Sequence, residues 1–131
     1  METNVVDYIC QNLHTNESKV AALRLREPGV SEWVGNRLRQ SILHTTYNNQ
    51  GQQTVVEFAG FTSVPLHKIT AQTLNASEKY TAYVWRVHGL EMKHPHLPAI
   101  LAWNGKMQVY PPEVINVLPM WGSEKLLNKT E

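Results

Sequence analysis

The sequence predicts an α+β fold, in which a small β-barrel is flanked by helices and interrupted by one inserted helix. Three observations predict this class. Helical periodicity dominates roughly the first forty residues, and runs rich in β-branched and aromatic residues follow, separated by turn residues. One strongly helical stretch lies between those runs. The 131 residues suit a single domain with a buried core.

The N-terminal third predicts three short helices. Residues 4–14 place apolar side chains at helical spacing, with Asn4 as N-cap. Residues 16–26 form a second helical stretch that a Glu-Pro-Gly sequence ends. Ser31 is the expected N-cap of a third helix that runs through Leu38.

The middle of the chain predicts strands. Residues 40–47 and 54–58 carry β-branched and aromatic side chains, and the Asn-Asn-Gln-Gly sequence at 48–51 is a turn signal. The two segments therefore predict a hairpin. We expect extended structure to continue through residues 60–64 and to end at Pro65.

The inserted helix is predicted over residues 78–88. Ser77 is its expected N-cap, and Gly89 stands where a left-handed C-cap belongs. Four side chains at i, i+3, i+4 and i+7 should form its packed face, namely Tyr80, Tyr83, Val84 and Val87.

Two further strands, 99–103 and 106–110, follow that helix. Asn104-Gly105 between them is typical of a type I′ hairpin turn. The segment 111–118 opens with two prolines, which the first turn of a helix tolerates, so it predicts a final helix.

The four tryptophans are interpreted as packing residues, and they are Trp33, Trp85, Trp103 and Trp121. Trp85 is expected to be the most exposed of them. It lies at i+2 from Tyr83 and faces either the barrel or a neighbouring domain.

Composition limits the classes of function. A hydrophobic share of 42% and a charged share of 18% are typical of a folded globular domain. The net charge of +1 excludes a broadly basic surface, so any nucleic-acid site must be a local pocket. Cys10 is the single cysteine, which indicates a reducing compartment. Without a signal peptide or an apolar run of about 20 residues, the chain is expected to be cytoplasmic or nuclear.

Catalytic motifs are absent from the sequence. Asp7 is the only aspartate, and the glutamates are scattered, so no carboxylate cluster for a two-metal nuclease is evident. No nucleophile elbow or phosphate-binding glycine loop is present. His88, His94 and His96 do not have zinc-site spacing and are interpreted as surface or pocket histidines. We expect no catalytic residue, no metal and no cofactor.

Aromatic residues are the better candidates for function. Proteins grip unpaired RNA with rings that stack on bases and with hydroxyl, imidazole or cationic groups on phosphates. Tyr47, Tyr83, His88 and Tyr110 lie at expected strand ends or on the inserted helix. Each alone is more often a half-buried core aromatic, so the functional hypothesis rests on the four together.

One stretch of the sequence resembles a known family. It runs from Gly89 through Leu-Glu-Met-Lys-His-Pro-His-Leu-Pro-Ala-Ile-Leu, and Val109-Tyr-Pro-Pro-Glu-Val follows. This pattern is similar to the closing segment of Argonaute PAZ domains. The resemblance implies an OB- or SH3-like barrel with an inserted hairpin-plus-helix module at about residues 60–90. It also implies that 1–131 is one PAZ domain from a larger multidomain protein.

In that family the cleft between barrel and module holds the single-stranded 3′ end of a small guide RNA and catalyses nothing. The resemblance therefore implies an RNA-silencing function and, as partners, a two-nucleotide 3′ overhang and other domains of an Argonaute. It implies that Tyr47 and Tyr83 contact the phosphate between the last two nucleotides, with His88 in place of a second tyrosine. Tyr110 would line the pocket floor near the terminal sugar, and the backbone of Val109 would bind the terminal hydroxyls.

Arg86 and Lys68 are expected to border the cleft. The sequence also departs from the family pattern at three positions: Val56 replaces a tyrosine, Val87 a lysine, and Ala71 a stacking phenylalanine. The loss of a stacking ring costs about 1–3 kcal/mol of binding free energy. We therefore expect the PAZ fold with weakened RNA binding. Two alternatives stay open. One is a decayed PAZ fold that serves as a structural or protein-interaction domain, and the other is the PAZ domain of a Dicer-type ribonuclease.

Overall fold

The computed structural model of the protein describes residues 2–47, 52–73 and 76–119. The helices in these ranges are α1 (Val5–Asn12), α2 (Ser18–Leu25), α3 (Val30–Arg39) and α4 (Tyr80–His88). The strands are β1 (Thr3–Asn4), β2 (Ser41–Thr45), β3 (Thr54–Pro65), β4 (Thr70–Thr73), β5 (Ala76–Lys79), β6 (Pro98–Trp103), β7 (Met107–Tyr110) and β8 (Ile115–Pro119). Two 3₁₀ helices, Leu66–Lys68 and Pro112–Val114, complete them. No helix among the described residues has the length and apolar character of a membrane span.

Six strands form one antiparallel sheet in the order β1-β8-β2-β3-β6-β7. The strands β4 and β5 form a separate two-stranded sheet. This small sheet and α4 lie between β3 and β6 along the chain. The predicted α+β class, with a helix inserted between strands, is confirmed.

The strand β3 is the longest, because the two predicted extended segments are one continuous strand. Its pairing with β6 shifts between Phe58 and Gly60 and again between Phe61 and Pro65. Such irregularities bend a strand and increase its twist, which curls the sheet. Pro65 was expected to lie beyond the strand but is its last residue, opposite Pro98, where a missing N–H is tolerated.

The core lies between the curled sheet and the three N-terminal helices. Alternate residues of each strand point inward, as a half-buried sheet requires. The residues with no exposed surface include Val5, Ile9, Val34, Leu43, Ile100, Ala102, Ile115 and Val117. Close packing joins α3 to β3 at Gly35, where an added Cβ would lie 3.0 Å from the Phe58 ring.

The N-terminal helices agree with the prediction, apart from one cap. Asn4 caps α1, and its side-chain oxygen accepts a hydrogen bond from the Val6 amide at 2.9 Å. The prediction of Ser31 as N-cap is wrong, because α3 begins at Val30 and Gly29 stands at the cap position, two residues before Ser31. Gly29, with φ of 80°, makes the turn into that helix.

The predicted start of α4 is also wrong. Residues 76–79 pair with β4 as strand β5, so Ser77 lies in a hairpin and the helix begins at Tyr80. Lys79 precedes the helix without a side-chain cap. The left-handed C-cap at Gly89 is confirmed, with φ of 68°.

Both predictions for the C-terminal part need correction. The β6–β7 loop has three residues, since Trp103 pairs with Met107. Among the described loop residues only Gly105 has positive φ, whereas a type I′ turn needs two such residues. The predicted final helix is only the 3₁₀ helix at 112–114, followed by β8. That strand pairs with β1 and β2, so strand pairing overrides the helix signal of the prolines.

The interpretation of tryptophans as packing residues fails for the three that the structure describes. Trp33 and Trp103 are each 48% exposed and Trp85 is 62% exposed. Trp33 is covered in part by the Arg37 guanidinium, 5.2 Å from its ring centroid. The fourth tryptophan, Trp121, and the predicted turn at 48–51 lie outside the described residues.

Candidate nucleic-acid interface

Five rings converge where α4 meets the ends of β2 and β7. We call them the ring cluster, and they are Tyr47, Tyr80, Tyr83, His88 and Tyr110. The Tyr47 ring lies at the centre, 4.2 Å from the His88 ring and 5.8 Å from the Tyr110 ring by centroids. The Tyr83 ring lies 6.2 Å from that of Tyr80 and 6.0 Å from that of His88.

Helical spacing explains how α4 supplies three of these rings. Tyr80 and Tyr83 stand one turn apart and are stacked side by side, and Val84 beside them is fully buried. The predicted packed face of α4 is therefore confirmed for Tyr80, Tyr83 and Val84. It is wrong for Val87, which is 47% exposed on the last turn of α4.

Three hydroxyl groups of the cluster, those of Tyr80, Tyr47 and Tyr110, are already hydrogen-bonded inside the protein. The Tyr80 hydroxyl donates to the Val109 carbonyl at 2.9 Å, and a hydrogen bond also links the side chains of Tyr80 and Tyr47. The Tyr110 hydroxyl donates to Oε1 of Gln108 at 2.8 Å. These groups fix the rings relative to each other and stabilise the contact between α4 and the large sheet.

Tyr83 and His88 differ from the other rings. Both are half-buried, and within the part of the chain that the structure describes neither the Tyr83 hydroxyl nor the His88 imidazole has a hydrogen-bond partner. Their rings are held by aromatic contacts on both sides, so their positions are set. The pair therefore offers polar groups to a ligand on a preformed aromatic surface.

The cluster is neutral at physiological pH. Burial raises the pKa of Tyr47, Tyr80 and Tyr110, so these hydroxyls remain protonated donors. Burial lowers the pKa of His88, which keeps its imidazole uncharged near pH 7. A negatively charged ligand would favour the protonated imidazole and so would reverse this shift.

Positive charge at the border of the cluster comes from Arg86. Its guanidinium lies 5.7 Å from the Tyr83 ring centroid and 2.6 Å from the Glu78 carboxylate. The hydrogen bond to Glu78 raises the pKa of Arg86 further. Lys68 is exposed on the 3₁₀ helix that packs against α4, and within the described residues no ring contact joins it to the cluster.

The structure thus brings together four of the residues singled out in the sequence, Tyr47, Tyr83, His88 and Tyr110, and places the Val109 carbonyl beside them. Tyr80 was missed as a site residue. In the sequence, the only indication of a role for Tyr80 was its position one turn before Tyr83. A tyrosine that is buried there needs a hydrogen-bond partner for its hydroxyl.

The positions that depart from the family pattern fall in different environments. Val56 is buried inside the large sheet at 3% exposure, so no polar group reaches the cleft from there. The backbone of Ala71 lies in β4 opposite Glu78. Val87 is exposed beside Arg86 on α4.

A separate hollow of about 640 Å³ borders α4 away from the ring cluster. It is lined on the helix by Thr81, Ala82 and Trp85, and elsewhere by Leu90 and Met92. Trp85 lies about 200° around the helix from Tyr83, so the two residues report on different surfaces.

No catalytic or metal site is evident among the described residues. No group of three or more His, Cys, Asp or Glu residues in them is placed to hold a metal ion. Asp7 is exposed on α1, far along the chain from the cluster. Burial raises the pKa of the Cys10 thiol, which makes it a poor nucleophile.

Comparison with known proteins defines the fold. No family model and no curated protein matches the sequence. Among solved structures, the PAZ domain of Drosophila Argonaute 2, described for 3′ end recognition of nucleic acids, matches with a TM-score of 0.64 and 15% identity. That match covers 89% of this chain and 94% of the other. A Drosophila Ago-PAZ domain in complex with 3′-end 2′-O-methylated RNA matches at 0.62 and 16%, over 88% and 98% of the two chains.

Dicer from Giardia intestinalis is also similar, with a TM-score of 0.51 and 18% identity. The match covers 63% of this chain and 13% of the Dicer chain. The chain therefore has the PAZ fold, an OB-like barrel with flanking helices. This is the fold that the resemblance implied.

Proposed function

We propose that this protein is a PAZ domain that binds the unpaired 3′ end of a small guide RNA and has no catalytic activity of its own. The observation that carries the proposal is the ring cluster. Within it, the Tyr83 hydroxyl and the His88 imidazole face no partner among the described residues. The His88 ring packs on the Tyr47 ring, which is buried together with Tyr110. The PAZ fold of the chain supports the proposal, as do a structural neighbour described for 3′ end recognition of nucleic acids and another in complex with RNA.

The proposed mechanism combines ring contacts with hydrogen bonds to phosphate. Aromatic faces pack on bases and sugars regardless of base identity, at about 1–3 kcal/mol per base. The Tyr83 hydroxyl donates to a phosphate oxygen, and His88 takes up a proton and does the same. Arg86 adds a positive charge at the border.

A local site of this kind fits the low net charge of the chain. With a net charge of +1, the protein has no surplus of cations to follow a long phosphate backbone. A pocket for one or two terminal nucleotides needs only a few donors, and Tyr83, His88 and Arg86 supply them. The ring cluster is therefore suited to binding the end of an RNA strand rather than a long stretch of its backbone.

The test compares two RNA duplexes of the same sequence, one with a two-nucleotide 3′ overhang and one with blunt ends. Binding to each is measured by fluorescence anisotropy with the full chain. We expect clear saturable binding of the overhang duplex and much weaker binding of the blunt one. Equal affinity for the two, or no binding of either, rejects the proposal and favours a protein-interaction domain on a PAZ fold.

The match to Dicer favours a second candidate for the parent protein. The same pocket would then present the 3′ end of a longer RNA to ribonuclease domains elsewhere in the chain. The full sequence of the parent distinguishes the two cases, because a Dicer-type protein carries the catalytic carboxylates of its nuclease outside these residues.

A further inference from the structure

The second half of β3 has a free edge. Leu43 of β2 lies opposite Val56, so the first residue of β2, Ser41, comes level with Phe58. Beyond that point β3 pairs with β6 on one side, and on the other side no strand of the described residues pairs with it. Residues 59–64 include no charged residue and no proline, which protect many edge strands from pairing with another chain.

This free edge faces α3. The Ala59 carbonyl accepts a hydrogen bond from the Arg39 guanidinium at 3.3 Å, and the same guanidinium lies 5.4 Å from the centroid of the Phe58 ring. A side chain of α3 thus donates to a backbone carbonyl at the place where a neighbouring strand would donate.

The ladder with β6 uses only part of the backbone that follows. Its register shifts between Phe61 and Pro65, so residues 62–64 stand opposite Ala99 alone. The Thr62 hydroxyl oxygen accepts the Ala99 amide at 2.9 Å, in place of a backbone carbonyl. Backbone groups of this segment are therefore left for a strand on the other side.

A groove of about 440 Å³ runs along the free edge. The helices α2 and α3 line it through Leu25, Arg26 and Gly35, and the strand lines it through Phe58 and Phe61. The two phenylalanine rings pack edge to face, 5.1 Å apart by centroids. A groove between an edge strand and a helix suits an extended peptide, which pairs its backbone with the strand and places alternate side chains against the helix.

The groove carries a surplus of positive charge. Arg26 and Arg39 line it, against one carboxylate, that of Glu32. Within the described residues the structure records no ion pair for any of the three. Carboxylates of an incoming peptide would therefore meet guanidinium groups that form no ion pair, whereas lysines would be repelled.

We propose that this groove binds an extended segment of a partner protein, in which apolar residues are flanked by acidic ones. The segment adds to β3 as a further strand along residues 59–64. Its apolar side chains contact Phe58 and Phe61, and its carboxylates pair with Arg26 and Arg39. No residue of the ring cluster lines the groove, so this is a second surface, for protein rather than RNA.

The probe is a labelled peptide, Glu-Glu-Leu-Thr-Phe-Thr-Glu-Glu, blocked at both ends and titrated with the full chain by fluorescence anisotropy. Its leucine and phenylalanine lie on one face of a strand. We expect saturable binding with a dissociation constant below about 1 mM. The same peptide with lysine in place of every glutamate should bind at least about tenfold more weakly.

N-methylation of the peptide tests the pairing of the backbone. Two versions carry N-methyl groups on alternate residues, one version in each register. A strand that pairs along one edge uses only alternate N–H groups, so one version should lose at least about tenfold in affinity and the other should stay within about threefold. An equal loss in both versions overturns strand addition.

Arg26→Gln tests the charge, because Arg26 is exposed at the end of α2. It should weaken binding of the acidic peptide by about two- to fivefold, the range for an exposed ion pair. Lys106→Gln is the matched control, since it removes the same charge from an exposed residue of the β6–β7 loop that does not line the groove. Equal effects of the two variants contradict a contact at Arg26.

The location of the bound peptide decides between this surface and the ring cluster. In amide NMR spectra the backbone signals of residues 59–64 should shift as the peptide saturates the protein. Shifts centred on Tyr83 and His88 overturn the proposal, as does the absence of saturable binding up to about 1 mM. RNA binding by the ring cluster is measured separately, so either proposal can fail while the other stands.

Discussion

Tyr83 and Trp85 lie two residues apart on α4 and provide a matched pair for mutation. The Tyr83 hydroxyl belongs to the ring cluster, whereas Trp85 is 62% exposed beside a different hollow. We expect Tyr83→Phe to weaken binding of an overhang RNA by about 1.5–3 kcal/mol, the range for a hydrogen bond to a charged group.

Trp85→Phe is the control and should leave the affinity within experimental error, measured by the same anisotropy titration. The reverse order of effects would place the RNA on the opposite side of α4 and would contradict the proposed site.

His88 predicts a pH dependence of binding. Burial holds its pKa below the usual 6.5 in the free protein, and a phosphate beside the ring would raise that pKa in the complex. Binding then takes up a proton, so the affinity should fall as pH rises through the pKa of the complex. Titrations between pH 5.5 and 8, at about half-unit intervals, should show this slope, and His88→Gln should flatten it. An unchanged slope in the variant would exclude His88 as the titrating group.

The lowered pKa of His88 also makes the stability of the free protein depend on pH, and here the dependence runs in the opposite direction to that of binding. Because the unfolded chain binds this proton more readily than the folded one, the free energy of unfolding should decrease as pH falls below about 6.5. Urea unfolding at a series of pH values measures it, and His88→Gln should remove part of the decrease. A decrease of the same size in His88→Gln would show that His88 is not its cause.

Four of the five residues of the ring cluster could be selected from the sequence, but the hydrogen bonds of their side chains could not be predicted. Their role in binding stays a prediction. Tyr47, Tyr83, His88 and Tyr110 were selected by residue type and by resemblance, and they do meet in space. No sequence pattern shows which hydroxyl is already bound, since Val109 lies 29 residues from Tyr80, and the bond from Tyr110 to Gln108, two residues before it on β7, depends on side-chain conformation. Tyr80 was overlooked for that reason.

The predictions of helices and strands are wrong in segments whose residues are compatible with more than one secondary structure. Residues 76–79 can precede a helix or pair with β4, and the available edge of β4 decides for the strand. Residues 115–119 follow two prolines that suit a helix start, yet pairing with β2 and β1 makes them β8. Local propensity is weaker than a ladder of backbone hydrogen bonds, so such segments cannot be assigned from their own residues.

The left-handed C-cap predicted at Gly89 is confirmed, and its contribution to stability can be measured by mutation. Gly89 has φ of 68°, and an added Cβ would meet nothing within 4 Å, so the cost of a side chain there is conformational only. Gly89→Ala should lower the free energy of unfolding by about 1 kcal/mol in urea denaturation. Gly60→Ala is the control, because Gly60 is equally uncrowded and is not in the left-handed region. A loss at Gly60 equal to that at Gly89 would argue against the left-handed cap.

For the molecule as a whole, the central feature is that one aromatic cluster joins two parts of the fold. Tyr110 ends strand β7 of the six-stranded sheet and Tyr47 follows its strand β2, whereas Tyr80, Tyr83 and His88 come from the helix inserted between β3 and β6. The hydrogen bond from Tyr80 to Val109 fixes one part against the other. A ligand that contacts both parts therefore meets a preformed surface and loses little free energy in ordering it.

The most direct test of this account is an NMR titration of the protein with an overhang RNA, observing the side-chain signals of His88, Tyr83 and Trp85. We predict that the imidazole of His88 and the ring of Tyr83 shift as the RNA saturates the site, while the indole N–H of Trp85 stays in place. Shifts confined to Trp85 and the hollow beside it, with His88 and Tyr83 unaffected, would show that the ring cluster does not bind the RNA end.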